Sequence, residues 1–397
     1  MHAMIAGGGI AGPVTAMALQ RVGIEATVYE SHPPADPEVG SFFVITANGL
    51  AALTEIDAAH LVEEVGFPTR RTVLWSHTGR RLASMSLDSR RPDSHPAHTV
   101  KRSRLVRLLQ EEAERRGIRI EYGRRLIDAR DDGDGGVEAD FADGSTAAGD
   151  ALIGCDGIHS AVRRLIDPNA PAGRYVGLTN FGGVTRGAAG GIEPGDFHMS
   201  FGRRAFFGHA AAPDGDVVWF VNHPRPLITA EERRSITPAE WKRLLADLFQ
   251  GDAGPATELI EAGDLELYAD NTHDLGHVPT WHRGPMVIIG DAAHAPSPSS
   301  GQGASLAMED GIVLARALGA GPSVSEAFTR FEELRRDRVE KVVAWGAKTS
   351  NQKAPGPVGR LVRDLFLPLV LRFFVTDKSV VWMYDYRVGE ELAAEFS

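Results

Sequence analysis

The feature that most constrains this chain lies in its first thirty residues. Ala3 to Ala6 reads as a short buried strand, and Gly7, Gly9 and Gly12 form a G-x-G-x-x-G turn. A helix follows, with Pro13 in its first turn, Val14, Met17, Ala18 and Val22 on one face, and Gly23 as its stop. Ala26 to Tyr29 is a second strand that ends on Glu30. A glycine triplet at this spacing is a weak signal alone. Between a strand and a helix, with an acid closing the next strand, it specifies a dinucleotide-binding βαβ unit. Gly7 permits the turn, Gly9 lets backbone N–H groups approach a pyrophosphate, and Gly12 allows close helix packing. The N–H groups opening the helix, at Ile10 and Ala11, then face the phosphates. Glu30 can accept the ribose hydroxyls and repels a 2′-phosphate. The bound dinucleotide is therefore FAD or NAD rather than NADP.

Composition narrows the class. The 397 residues are 43% hydrophobic and 24% charged, which suits two to three globular domains. The net charge of −11 offers no basic excess to displace counterions, so nucleic acid is not an expected partner. One cysteine, Cys155, allows no internal disulfide and suits a reducing cytoplasm. The apolar N-terminus lacks a charged leader region and is broken by glycines. The stretch Leu365 to Leu371 contains Pro368 and is far short of the ~20 residues that cross a bilayer. The expectation is a cytoplasmic α/β protein with no membrane span.

Further along, helices are expected at 47–66, 102–116, 238–250, 303–318 and 324–350. Short strands are expected at 71–76, 81–87, 118–122 and 151–153, with a hairpin across 126–148. From about 176 to 275 the texture changes to recurring strands, at 179–185, 197–201, 205–211, 217–222 and 265–270. This reads as a mostly antiparallel sheet inserted into the first domain. Met286 to Ile289 then returns to the buried, parallel-type pattern.

Three further motifs decide between FAD and NAD. Gly290-Asp291-Ala292-Ala293-His294-Ala295-Pro296 continues through Pro298, Gly301, Gln302, Gly303 and Ala304. Gly154-Cys155-Asp156-Gly157 precedes Ile158-His159-Ser160, and Arg102 sits in Lys101-Arg102-Ser103-Arg104-Leu105. In order and spacing these resemble the aromatic-hydroxylase-type, para-hydroxybenzoate hydroxylase-like, FAD monooxygenases along almost the whole chain. The resemblance implies that Asp291 holds the FAD ribityl chain and that Pro298 to Ala304 lead into a helix whose N-terminus faces the flavin N1–C2=O edge. It implies that Asp156 and Gly157 turn beside the pyrophosphate, in a turn also linked to NAD(P)H, and that Arg102 reaches the phosphate region. Ser31 stands where an Arg is often found, and Ser305 replaces a common Asn.

The implied architecture is a Rossmann-like FAD-binding domain (1–72, 97–175, 276–350), an inserted antiparallel substrate domain (73–96, 176–275) and a C-terminal helical segment (351–397). The implied activity is FAD-dependent hydroxylation of an aromatic or polycyclic molecule, with noncovalent FAD, NAD(P)H as transient co-substrate and O2, through a flavin C4a-hydroperoxide. A related reductase or oxidase without oxygen insertion is the alternative. The hard chemistry then belongs to the cofactor. Accordingly, no obligatory catalytic acid or base stands out, no G-x-S-x-G elbow is present, and no metal-ligand spacing appears among His198, His209 and His223. Cys155 reads as a core thiol and His294 as a conformational anchor. Phe181, Phe197, Phe201, Phe206, Phe207, Trp219 and Phe220 form an aromatic set in the inserted sheet. Phe197, Met199 and Phe201 share one face, and His198 and Ser200 the other. Phe207 and Trp219, with His209 as a polar contact, are the substrate-side candidates. The oligomeric state is left open.

Overall fold

The computed structural model describes residues 1–34, 36, 40–297, 300–350 and 377–396. Its centre is β1 (His2–Ala6), flanked in parallel by β2 (Glu25–Glu30) and β12 (Ala151–Gly154). β8 (Arg119–Tyr122) and β19 (Met286–Ile288) continue the parallel sheet outward, and β18 (His282–Arg283) closes one edge antiparallel. The central strands β1, β12 and β19 are short, buried and almost wholly apolar, as the middle of a parallel sheet requires. α1 (Ala11–Arg21) packs against α9 (Gly303–Ala320) on one side of the sheet. Gly311 makes this possible: a Cβ there would lie 2.7 Å from the Thr15 hydroxyl.

The expected helix at 47–66 is two helices, α2 (Ala47–Thr54) and α3 (His60–Val65). The break falls at Asp57, whose φ of 54° cannot continue an α-helix. The expected hairpin is a three-stranded meander of β9 (Leu126–Asp131), β10 (Val137–Phe141) and β11 (Thr146–Gly149). The turn at Asp143-Gly144, with Gly144 at φ 83°, divides the second half. A small sheet that periodicity does not reveal joins β3 (Phe42–Ile45), β7 (His98–Lys101) and β4 (Gly66–Pro68). α4 (Arg102–Arg115), the helix expected at 102–116, follows β7 directly, and α5 (Ala161–Ile166) follows β12.

The inserted sheet has seven strands, in the order β17 (Asp264–Asp274), β13 (Arg174–Thr185), β16 (Val217–Pro224), β15 (Phe206–Ala211), β14 (Asp196–Phe201), β5 (Arg71–Ser76) and β6 (Arg81–Ser86). Every pair is antiparallel except β14 with β5. One face is covered by α7 (Pro238–Leu248) and α8 (Ala256–Ala262), with α6 (Ala230–Ser235) preceding them. α7 starts at a capping box in which the Thr237 hydroxyl accepts from the Glu240 N–H and the Glu240 carboxylate accepts from the Thr237 N–H. The other face meets β3 and β4 through Phe42, Val44 and Phe67.

α10 (Val324–Ser350) packs along α9, and α11 (Asp377–Tyr384) and α12 (Val388–Glu395) add Met383, Tyr384, Val388 and Leu392 to the same core. The rest of the C-terminal segment, like Pro298, lies outside the described residues. No helix among the described residues is long and apolar enough to cross a membrane.

Candidate active site

The cleft is built at the C-terminal ends of β1, β2, β12 and β19. Gly7 has φ 108°, and a Cβ there would sit 2.4 Å from the Cys155 carbonyl oxygen. A Cβ on Gly12 would sit 2.0 Å from the Gly7 carbonyl oxygen. Both positions therefore admit only glycine. Gly9 differs: nothing lies within 4 Å of its Cβ position, which leaves backbone facing open space. Ile10 and Ala11 open α1 beside it. The Glu30 carboxylate accepts from the Gly8 N–H at 2.6 Å, the His32 N–H at 2.8 Å and the Ser31 hydroxyl at 3.2 Å. These bonds aim Glu30 at the mouth of the glycine turn. Gln110 of α4 donates to the Gly8 carbonyl at 2.7 Å and ties the turn to the neighbouring helix.

Asp156 follows β12. One of its oxygens accepts from the Ala161 N–H at 2.6 Å and the Val162 N–H at 3.1 Å, which caps α5. Its other oxygen is buried and finds no hydrogen-bond partner among the described residues. Burial pushes its carboxyl pKa up, against those hydrogen bonds. Gly157 turns the chain at φ 73°, with open space at its Cβ position. Cys155 is buried and free, and burial with the nearby Asp156 charge pushes its thiol pKa well up, as expected of a core thiol.

Asp291 lies in a short 3-10 turn after β19, entered through Gly290 at φ 56°. Burial raises its carboxyl pKa, and the nearby Arg102 and His294 charges oppose that rise. Arg102, the first residue of α4, also lowers the pKa of Asp270 on β17, which burial raises. A Cβ on Gly303 would lie 3.6 Å from the Asp291 carboxylate, so the start of α9 and this acid are neighbours. Gly301 (φ 62°) has open space at its Cβ position, and Ala304 is half-buried. Gln302 is fully buried and its side chain turns away into the protein.

Behind this loop lies a charged network that sequence reasoning missed, apart from His294. Asp310 accepts from the Gly290 N–H at 2.9 Å, from Arg335 at 2.8 Å, and pairs with His294 Nε2 at 2.6 Å. Glu309 is held by Arg335 at 2.7 Å and by both nitrogens of an Arg338 fork at 2.8 Å. Burial alone would push both carboxyls up, but Arg338 and Arg335 draw Glu309 down, and His294 and Arg335 draw Asp310 down. The acids sit adjacent in α9, a pair that sequence presents only as solvent-type charge.

The seven-stranded sheet corrects the substrate-side expectation. Phe207 and Trp219 point to the helix-covered face and pack with Phe181, Trp241 and Phe249. Phe207 is fully buried, and the Trp219 indole N–H donates to Thr185 at 3.0 Å. His209 shares that face, stacked on His198 at 4.9 Å and tilted against Phe207 at 5.4 Å. Burial takes its imidazole pKa down to about 3. These residues form a core rather than a wall of the cleft. The opposite face carries Phe197, Ala210 and Val218, with Met199 and Phe220 half-buried beside them, against Phe42, Val44 and Phe67. The expected sharing of a face by Phe197 and Met199 holds.

Whether FAD fits is answered by the cradle itself: two glycines that only backbone can fill, one glycine open to a ligand, an aimed carboxylate at Glu30, and an unpaired buried acceptor at Asp156. The family model for the FAD binding domain matches residues 1–346. The chain belongs to this FAD-binding family, in its aromatic-hydroxylase branch. It is 31% identical over 350 residues to an FAD-dependent urate hydroxylase from Klebsiella pneumoniae, covering 86% of this chain and 88% of that one. It is 29% identical to the aurachin C monooxygenase/isomerase of Stigmatella aurantiaca, covering 86% of each chain. The crystal structure of Klebsiella pneumoniae HpxO complexed with FAD and uric acid superposes with a TM-score of 0.80 at 25% identity, over 98% of this chain and 96% of that one. As a member of this family, the chain is an FAD-dependent monooxygenase.

Proposed function

We propose that this enzyme hydroxylates a planar aromatic or heteroaromatic small molecule held between the seven-stranded sheet and the cofactor. The observation that carries the proposal is the apolar face formed by Met199 and Phe220 opposite Phe42 and Val44. All four are half-buried, so each keeps surface open to a ligand. The flat rings of Phe42 and Phe220 favour a planar substrate, and the apolar face as a whole excludes water, which a flavin oxygenation needs.

When bound, FAD supplies the hydride acceptance from NAD(P)H and the activation of O2. The chain's own residues position and shield. Gly7, Gly9 and Gly12 would let the opening of α1 meet the pyrophosphate, with Glu30 on the adenosine ribose and Arg102 near the phosphates. Asp291 would hold the ribityl hydroxyls, and its raised pKa reflects a buried acceptor that gains from such donors. The N–H groups at the start of α9 would favour negative charge on the ring edge. Asp156 and Gly157 would border both the FAD pyrophosphate and the entry of NAD(P)H. No side chain of the sheet is asked to act as acid or base.

The test is a panel of purines, including urate, with substituted benzoates, quinolones and polyketides, scored by stimulated NAD(P)H consumption. A product heavier by one oxygen atom, labelled from ¹⁸O2, is the expected result. Label only from water, or O2 passing wholly to peroxide with every compound, would instead favour a reductase or oxidase.

A further inference from the structure

Gln302 immediately precedes α9, yet its side chain lies fully buried behind the cofactor cleft. There it closes a three-residue ring of hydrogen bonds. Gln302 Nε2 donates to the Thr46 hydroxyl at 2.9 Å, Thr46 donates to Asn48 Oδ1 at 2.7 Å, and Asn48 Nδ2 donates back to Gln302 Oε1 at 3.0 Å. Asn48 Nδ2 donates a second bond, of 2.7 Å, to Glu309 Oε1. Asn48, Gln302 and Glu309 are all fully buried, and Thr46 nearly so.

An amide can present either end to a neighbour, and a hydroxyl can donate or accept. Such a ring could therefore run in either direction. Glu309 removes the choice. An ionised carboxylate only accepts, and its other bonds come from Arg335 and Arg338. Asn48 must turn its NH2 toward Glu309, so its carbonyl must face Thr46, and the direction of every bond in the ring follows. We infer that Asn48 is a positioning residue of the cofactor site, transmitting the fixed polarity of Glu309 to Gln302 and so holding the first turn of α9 in place. Sequence distance hides this: Asn48 is 254 positions from Gln302 and 261 from Glu309. The ring joins the N-terminal turn of α2, which follows β3, to the start of α9.

The inference rests on the assignment of the cleft to FAD, and the test separates the two. FAD affinity and the midpoint potential of bound FAD are measured for wild type, Asn48→Ala, Gln302→Ala and the double variant. Thermal melting of each apoprotein reports folding. Asn48→Ala is expected to weaken FAD binding about fivefold to tenfold. It should also move the midpoint potential more negative, because a displaced α9 N-terminus stabilises the reduced ring less. In the Gln302→Ala background the same change should alter affinity by less than about twofold. Unchanged affinity and potential in folded Asn48→Ala overturns the inference, as does an undiminished effect in the Gln302→Ala background. Wild type that binds no FAD overturns the cofactor assignment itself. If Asn48→Ala does not fold, Asn48→Ser is read by the same criteria, since serine stays polar but is too short to reach Glu309 and Gln302 together.

Discussion

The ring of Phe220 lies directly over Gly208 on the neighbouring strand, so close that a Cβ at 208 would be 2.1 Å from a ring carbon. The opposite face repeats the arrangement: a Cβ on Gly183 would lie 2.4 Å from the Trp219 ring. Two consecutive aromatic residues of β16 thus each lie on a glycine, one toward β3 and β4 and one toward the helices. Gly208→Ala must tilt Phe220 away from the sheet. FAD affinity should stay at the wild-type value while the fraction of NAD(P)H coupled to product falls, read by comparing NAD(P)H consumed with peroxide and product formed. Coupling unchanged in a folded Gly208→Ala would show that the Phe220 face does not hold the substrate.

The two faces give opposite phenotypes. Phe220→Ala should uncouple the enzyme with a small effect on stability, because its ring is half-buried. Phe207→Ala and Trp219→Ala remove fully packed core rings and should cost about 3–5 kcal/mol of stability. At a temperature where they remain folded, their coupling should match wild type. Denaturant melts beside coupling assays distinguish the pair, and uncoupling by Phe207→Ala without destabilisation would reverse the assignment of faces.

Glu30 and Asp291 sit at opposite ends of the proposed FAD path. Each carboxylate–hydroxyl contact is worth on the order of 1.5–3 kcal/mol, so Glu30→Ala and Asp291→Ala should each weaken FAD by about tenfold to 150-fold. Asp291→Asn should also raise the melting temperature of the apoprotein at neutral pH, because it removes a buried charge whose carboxyl pKa burial holds up. FAD titration by fluorescence and an apoprotein melt test both statements. Unaltered FAD affinity in both alanine variants would remove these residues from the site.

Acid should unfold the protein through the pair behind the loop. Glu309 and Asp310 have pKa values drawn below those of unfolded Glu and Asp, which lie near ~4.3 and ~3.9. A carboxyl with a lowered folded pKa contributes stability above its unfolded pKa and loses it as pH falls further. Asp156 and Asp291, with raised values, act in the opposite sense. The first pair has Arg335, Arg338 and His294 to leave unpartnered, so its effect should dominate. The urea midpoint is expected to hold from pH 7 to about 5 and to fall steeply below about 4. A midpoint that rises between pH 5 and 3 would contradict this.

The sequence by itself determined the dinucleotide cradle. Gly7, Gly9, Gly12 and Glu30 are local: their spacing along one strand, turn and helix fixes where each backbone group points. The order of the later motifs likewise singled out Arg102, Asp156 and Asp291, and strand alternation correctly sorted Phe197 from His198. Tertiary structure decided what alternation cannot. A period of two says which residues share a face but not what covers it, and α7, through Trp241, claimed the face carrying Phe207, His209 and Trp219. It also decided the roles of Asn48, Glu309, Arg335 and Arg338. Each reads in sequence as an ordinary polar residue, and only the packing of α2, α9 and α10 takes them out of water, where an unpaired polar group is costly and a paired one is fixed in direction.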